Sequence, residues 1–216
     1  MKSILIIGMG RFGIHLATRL SELNNEVMIV DKQEEKITPL LPIVTRAQIG
    51  DCMDENLLRS LGVSNFDICF VCIGGNFQAS LEITSLLQEL GAKHVVSKAD
   101  REIHEKFLLR NGANEVIHPE RDEALRAAMK YGARKVFDYF EMASDFSVFE
   151  VGTPESWVGK SIRQINVRTK YNVNIIAVKQ NGKVVPVPSA EYVFVQGEHL
   201  IIAGHSKECS RLSDFK

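Results

Sequence analysis

The chain has 216 residues, of which 45% are hydrophobic and 25% are charged, a composition typical of a globular protein with one or two domains. Its formal net charge of −1 provides no positive field for nucleic acid or an anionic membrane surface, so no nucleic-acid partner is expected. No apolar run approaches the roughly 20 residues of a membrane span, and the apolar run at residues 4–7 is too short for a signal peptide. We therefore expect a cytoplasmic protein that meets a membrane only through a partner.

Short apolar runs alternate with amphipathic stretches along residues 1–136. The predicted strands cover residues 3–7, 26–30, 47–49, 68–73, 94–97 and 115–117. The predicted helices lie between and after them, over residues 11–23, 33–40, 54–61, 77–90, 101–111 and 120–135. Strict alternation of strand and helix predicts a parallel sheet covered on both faces, and six such units complete a doubly wound, Rossmann-type α/β domain.

The pattern changes beyond this nucleotide-binding domain. Residues 137–147 are aromatic and mixed, and we interpret them as a linker. Strand-like runs then appear at residues 147–151, 173–179, 184–187, 192–195 and 199–203, with a short helix near 161–164 and a hairpin turn at Asn181-Gly182. Residues 148–216 are therefore predicted to form a small C-terminal α+β domain dominated by antiparallel strands.

A G-x-G-x-x-G motif connects the first predicted strand to the first predicted helix. Gly8 permits a tight turn, Gly10 lets the backbone approach phosphates, and Gly13 lets the helix pack on the sheet. The helix N-terminus offers free N–H groups to the phosphates. Asp31, at the end of the next strand, suits the ribose hydroxyls and repels a 2′-phosphate, which disfavours NADP. We predict that an adenine nucleotide binds the loop Gly8, Met9, Gly10, Arg11, Phe12 and Gly13.

Further candidate residues follow the later strands, because ligands of open α/β sheets bind where strands end. They are Lys32, Gly50, Asp51, Cys52, Ile73, Gly74, Asn76 and Lys98. Asp51 equally fits a turn, Asn76 equally fits a helix cap, and Lys98 equally fits a solvated strand end. The guanidinium of Arg11 suits bidentate contact with a terminal phosphate, the alternative being a solvated residue at a helix start.

The sequence favours binding over catalysis. Cys69 and Cys72 form a C-x-x-C spacing, but side chains three apart on a strand point to opposite faces, so we interpret both as core residues. Neither His199 nor His205 has a carboxylate at a spacing that suggests an acid–base pair. A small NAD-dependent oxidoreductase is the alternative function. An NADH-sensing transcriptional regulator is disfavoured because no basic helix-turn-helix is visible.

Several segments together resemble the regulator-of-potassium-conductance family, and the resemblance covers essentially the whole chain. The segments are the glycine loop, Val30-Asp31, Gly50-Asp51, residues 73–80, Ile117-His118-Pro119-Glu120 and residues 167–177. The resemblance implies a homodimer that assembles into an octameric ring beneath an integral membrane potassium-translocating subunit. It implies a peripheral position on the cytoplasmic face of the membrane, and no enzymatic activity.

The resemblance also assigns ligands. ATP and ADP would compete for the Rossmann site, with NAD(H) as the alternative, and would bias the ring between active and inactive shapes. Arg11 would contact phosphate across the dimer, and Glu120 would bind a divalent cation, Mg²⁺ or Ca²⁺. From the residues alone, Glu120 is an ordinary acid in the first turn of a helix.

A second ligand, cyclic di-AMP, is implied for the C-terminal domain, between two subunits. The positions that match the family are Ile162, Val167, Arg168, Asn174 and Pro188. Arg168 suits a phosphate and Asn174 suits a base edge. From the residues alone, they fit equally well a surface residue and a strand-edge residue.

Overall fold

The structure, a computed structural model, describes residues 1–133, 135–143 and 145–213. The chain divides into two compact units, Met1–Arg121 and Asp122–Lys216, whereas the sequence places the boundary within residues 136–147. Most of residues 137–147, interpreted above as a linker, lies instead in two paired strands, β7 (Val136–Ala143) and β8 (Phe146–Gly152). Their pairing shifts register twice, which interrupts the two-residue alternation that marks a strand in a sequence.

The first unit is built on a six-stranded parallel sheet with the order β3-β2-β1-β4-β5-β6. Its strands are β1 (Ser3–Ile7), β2 (Glu26–Asp31), β3 (Arg46–Ile49), β4 (Ile68–Val71), β5 (Val95–Lys98) and β6 (Glu115–Ile117). The order reverses between β1 and β4, as in dinucleotide-binding sheets. The predicted Rossmann-type fold is confirmed.

Helices connect successive strands of this sheet, and the last of them follows β6. They are α1 (Arg11–Glu22), α2 (Glu34–Ile37), α3 (Glu55–Leu61), α4 (Phe77–Glu89), α5 (Glu102–Arg110) and α6 (Pro119–Gly132), with short 3-10 turns at Thr38–Leu40 and Val63–Asn65. The Asp54 side chain caps α3 by accepting a hydrogen bond from the Asn56 N–H, and Gly62 ends that helix in the left-handed conformation. These local signals explain why the predicted helices lie within a few residues of the observed ones.

The sheet is buried on both faces. Ile6 packs into the core on one face and Leu5 packs into the core on the other, because successive side chains of a strand alternate. Cys69 belongs to the same cluster as Leu5, whereas Cys72 belongs to the cluster of Ile6. Burial raises the pKa of each thiol to about 12. The interpretation of C-x-x-C as two core residues on opposite faces is confirmed.

The second unit contains an antiparallel five-stranded sheet with the order β10-β9-β11-β8-β7. Besides β7 and β8, its elements are α7 (Ile162–Ile165), α8 (Val167–Tyr171), β9 (Val173–Gln180), β10 (Lys183–Pro186), β11 (His199–His205), α9 (Ser206–Ser213) and a 3-10 turn at Glu155–Trp157. Trp157, Phe149 and Phe194 fill its core. The α+β prediction is confirmed, but residues 192–195 contribute one bridge, Ser161 to Val193, rather than a strand.

Along the described residues, no helix combines the length and the apolar composition that crossing a membrane requires.

Candidate functional site

A cleft of about 300 Å³ opens at the carboxyl ends of β1, β2, β3 and β4. This is the point where the strand order of the sheet reverses, which is where open α/β sheets bind their ligands. Ten of the predicted site residues line it: Gly8, Gly10, Asp31, Lys32, Gly50, Asp51, Cys52, Ile73, Gly74 and Asn76. The structure therefore brings together loops that are far apart in the sequence.

The three glycines of the first loop differ in what a side chain at their positions would meet. Gly8 has a φ of 96°, and a Cβ there would lie 2.9 Å from Cγ1 of Ile73. A Cβ on Gly13 would collide with the carbonyl oxygen of Gly8. A Cβ on Gly10 would meet nothing closer than the carbonyl oxygen of Cys72 at 4.0 Å. Gly8 and Gly13 are therefore required by the fold, whereas Gly10 keeps the cleft open beside the helix start.

The Asp31 carboxylate shapes the same loop. Its Oδ2 accepts a hydrogen bond from the Met9 N–H at 2.7 Å, and its Oδ1 accepts one from the Gln33 N–H at 2.9 Å. Each oxygen has a second lone pair for a ribose hydroxyl. The Met9 side chain is fully buried, so this predicted site residue contributes its backbone rather than its side chain.

The start of α1 is arranged for an anion. Gly10 is its N-cap, and within the described residues no side chain caps the helix and no acidic residue lies in its first turn. The first N–H groups and the positive end of the helix dipole therefore remain available to a phosphate. Phe12 packs against the core, and Arg11 is exposed outside the cleft lining. Of the groups predicted to bind phosphate, the backbone N–H groups thus lie in the cleft, whereas the Arg11 guanidinium lies beside it.

Two predicted residues serve the fold and line the cleft at once. Asp51 accepts a hydrogen bond from the Met53 N–H at 3.0 Å and so holds a turn. Asn76 caps α4 by accepting a hydrogen bond from the Ala79 N–H at 3.1 Å. The turn and cap alternatives stated for these residues are therefore confirmed, and neither removes the residue from the cleft.

Lys98 is not a solvated strand end. Its side chain is 11% exposed, and its Nζ lies 2.7 Å from Oε1 of Glu120 and 3.2 Å from Oδ1 of Asp100. Burial alone would lower the pKa of Lys98, but the hydrogen bonds to Glu120 and Asp100 outweigh burial and raise it. The bond from Lys98 lowers the pKa of Glu120, and the nearby charge of Arg11 lowers it further. Lys98 and Glu120 lie outside the cleft lining, and Nζ of Lys98 is next to Gly74.

These contacts decide how well the predicted cation fits at Glu120. The Lys98 ammonium already occupies the position between the carboxylates of Asp100 and Glu120 that a bridging cation would take. Among the described residues, no group of three His, Cys, Asp or Glu side chains is arranged to hold a metal ion. As arranged, the side chains do not fit a divalent cation.

The predicted cyclic di-AMP residues come together in part. The Arg168 Nε donates a hydrogen bond to Oδ1 of Asn174 at 2.8 Å, and both side chains are exposed. Val167 is buried in the core of the second unit, and Ile162 packs against that core. Pro188 lies outside the helices and strands and is half-buried. Arg168 and Asn174 therefore form the accessible part of this candidate site.

Sequence reasoning missed some side chains that line the cleft. Lys36 lies on α2, four residues beyond Lys32, which precedes that helix. Ala79 and Ile83 lie on α4 at the same spacing and form an apolar wall. Ile7, Val30, Gln33, Met53 and Cys72 complete the missed lining residues.

Comparison with known proteins gives consistent matches. The chain matches the TrkA-N domain over residues 4–119 and the TrkA-C domain over residues 146–216. It is 39% identical to Ktr system potassium uptake protein C of Bacillus subtilis (strain 168), covering 97% of this chain and 95% of that protein. It is 35% identical to Ktr system potassium uptake protein A of the same organism, covering 99% of this chain and 96% of that protein.

Solved structures confirm the fold. The GsuK channel bound to NAD superimposes with a TM-score of 0.67 at 18% identity, covering 96% of this chain and 38% of that chain. The chain therefore spans well under half the length of the channel that it resembles.

Proposed function

Because the chain belongs to the TrkA-domain family of potassium uptake proteins, as its resemblance predicted, we propose that it is a regulatory subunit that senses adenine nucleotides and gates a membrane potassium transporter. The observation that carries this proposal is the cleft at the switch point, where the phosphate loop, Asp31 and the Gly74–Asn76 loop meet. The two Bacillus relatives are potassium uptake proteins, which favours a regulatory role over the oxidoreductase alternative.

In the proposed complex, each part of the cleft has one task. The ribose hydroxyls of ATP or ADP lie on the Asp31 carboxylate, and the phosphates lie at the N-terminus of α1. ATP and ADP differ at the terminal phosphate, so a protein that distinguishes them must make its differential contacts there. Arg11, exposed beside the helix start, offers a bidentate donor for that phosphate, across the dimer in the assembled protein.

The proposed partner is an integral membrane potassium-translocating subunit. The chain would lie on the cytoplasmic face, as a homodimer assembled into an octameric ring, with the partner as its contact to the membrane. Nucleotides act on such an assembly by binding one ring shape more tightly than the other. Both Bacillus relatives are proteins of a Ktr potassium uptake system, which supports a potassium-transporting partner.

Two further ligands follow from the family. Cyclic di-AMP would bind at Arg168 and Asn174, whose hydrogen bond places a guanidinium beside an amide. A divalent cation at Glu120 would require that Lys98 first leaves this carboxylate.

The proposal is tested by the nucleotide preference of an Arg11→Ala variant. We expect calorimetry to show a much larger loss of affinity for ATP than for ADP, because the guanidinium would contact the terminal phosphate. Arg11→Lys should restore ATP binding only in part, since an ammonium cannot form the bidentate fork. Equal losses for both nucleotides, or turnover of NADH with a small substrate, would contradict the proposal.

A further inference from the structure

The Lys98 ammonium stands against the wall of the nucleotide cleft. Gly74 lines the cleft, and a Cβ on Gly74 would lie 3.0 Å from Nζ of Lys98 and 3.0 Å from Oδ2 of Asp100. Because glycine has no side chain, nothing from residue 74 itself stands between the ammonium and the cleft. Lys98 is thus placed to contact a ligand group that reaches the Gly74 end of the site.

The ammonium cannot simply be left without a partner. Its side chain is 11% exposed, and an unpaired charge with so little access to water is costly. Its partners in this structure are the carboxylates of Asp100 and Glu120. Any movement of Lys98 towards a ligand must therefore replace these contacts with an equally strong anion.

The surrounding charges are balanced before any nucleotide binds. Arg11 and Lys98 carry two positive charges, and Asp100 and Glu120 carry two negative charges, with Arg11 close enough to lower the pKa of Glu120. A terminal phosphate that reaches the Gly74 end of the cleft therefore approaches Lys98 together with its two carboxylates, which repel it. An ammonium that turns to the phosphate offsets this repulsion.

We propose that Lys98 determines the preference for a nucleoside triphosphate, by exchanging its contacts with Asp100 and Glu120 for contacts with the terminal phosphate. This inference rests on the proposed nucleotide-binding function. A lysine ammonium has three donors, so it can bind phosphate oxygens and keep one carboxylate during the exchange. ADP has no group that reaches this position, so with ADP the pairs to both carboxylates persist. The exchange supplies the difference in contacts that sensing requires.

The exchange also changes the start of α6. Glu120 is the second residue of this helix, which begins in the first unit and continues beyond residue 122 into the second. With ADP its carboxylate stays bound to Lys98, and with ATP it is released. The identity of the nucleotide is therefore read as the presence or absence of one ion pair at this helix start.

The inference is tested by measuring ATP and ADP affinities of two variants whose effects have opposite signs. Lys98→Met should weaken ATP binding about tenfold or more, while ADP affinity changes less than about threefold, because one charge-assisted contact is lost with ATP alone. Asp100→Asn should strengthen ATP binding relative to ADP, since it removes one competitor for the ammonium.

A matched control lies at the other end of the same strand. Lys93 precedes β5 and pairs with Asp67 at 3.4 Å, so Lys93→Met and Asp67→Asn remove the same kinds of charge away from the cleft. Neither control should change the ratio of ATP to ADP affinity. If Lys98→Met does not fold, Asp100→Asn decides the question by itself.

The outcomes separate this inference from the proposed function. An unmodified chain that binds ATP and ADP alike would overturn both. If the unmodified chain prefers ATP, and Lys98→Met keeps that preference or Asp100→Asn weakens ATP selectively, the proposed function stands and the inference about Lys98 is wrong.

Discussion

The two units place their candidate ligand sites on different kinds of sheet. In the first unit, parallel strands end at one edge, and their loops form a cleft of about 300 Å³ within a single chain. In the second unit, the candidate residues lie on α7, α8, β9 and a loop, and Val167 is used in the core. A parallel sheet thus gathers its cleft from the loops of one chain, whereas the antiparallel unit leaves the Arg168–Asn174 pair exposed on its surface.

The largest expected effect comes from adding a methyl group where the glycine loop and α1 approach each other most closely. Gly13→Ala places a Cβ against the carbonyl oxygen of Gly8, so the loop must move away from α1. We expect the free energy of unfolding to fall by about 1–3 kcal/mol, as for other overpacked positions, and nucleotide binding to be lost. Chemical denaturation and calorimetry measure the two effects.

Gly132→Ala is the matched control, because a Cβ on Gly132 would meet nothing within 4 Å. Its stability should be unchanged or higher, by up to about 1 kcal/mol. A Gly13→Ala variant as stable and as competent in binding as this control would contradict the role assigned to the loop.

The second effect concerns the carboxylate that serves both loop and ligand. Asp31→Ala removes the acceptor of the Met9 and Gln33 N–H groups together with the proposed ribose contact. We expect ATP affinity to fall by about 1.5–3 kcal/mol of binding free energy. Undiminished affinity, measured by calorimetry, would exclude Asp31 from the site.

A smaller and separate effect is expected in the second unit. Arg168→Ala removes the guanidinium that donates to Asn174, and it should weaken cyclic di-AMP while leaving ATP affinity unchanged. Equilibrium dialysis with each nucleotide measures the two affinities. A parallel loss of ATP binding would show that the two sites are not independent, and would remove the contrast between the units.

The smallest expected effect concerns the reactivity of the buried thiols rather than a free energy. Burial raises the pKa of Cys69 and Cys72 to about 12 in the first unit and that of Cys209 to about 11 in the second. Because the thiolate is the reactive form, all three thiols should be alkylated slowly at neutral pH in the folded chain and rapidly in denaturant. Fast alkylation of one unit alone, read by mass spectrometry, would show that its core opens independently.

The contrast between the units also explains what sequence reasoning could reach. Gly8, Gly13 and Asp31 were predictable because their roles depend on a turn, a close approach and a strand end that lie within one βαβ unit. The pairing of Lys98 with Glu120 was not, since it depends on the register of β5 and β6, in which Lys98 lies beside Ile117. The alternation of residue types within one strand does not reveal how that strand is aligned with its neighbour.

In the second unit, the residue patterns that mark strands and helices in the sequence were weaker. The register shifts between β7 and β8 place two residues of one strand against one of the other, so the hairpin did not resemble a strand pair in the sequence. The burial of Val167 depends on how α8 packs on β9, and a five-residue helix carries too few residues for a clear periodicity. The family resemblance named this residue without showing which way its side chain points.

The central claim is that nucleotide binding in the cleft gates potassium flux, and reconstituted vesicles test it most directly. The membrane subunit of a Ktr system would be incorporated with and without this chain, and potassium uptake would be measured with ATP, ADP or no nucleotide. We predict that uptake depends on the chain and is higher with ATP than with ADP. Uptake that is the same with both nucleotides, in a preparation that binds the chain, would contradict the account.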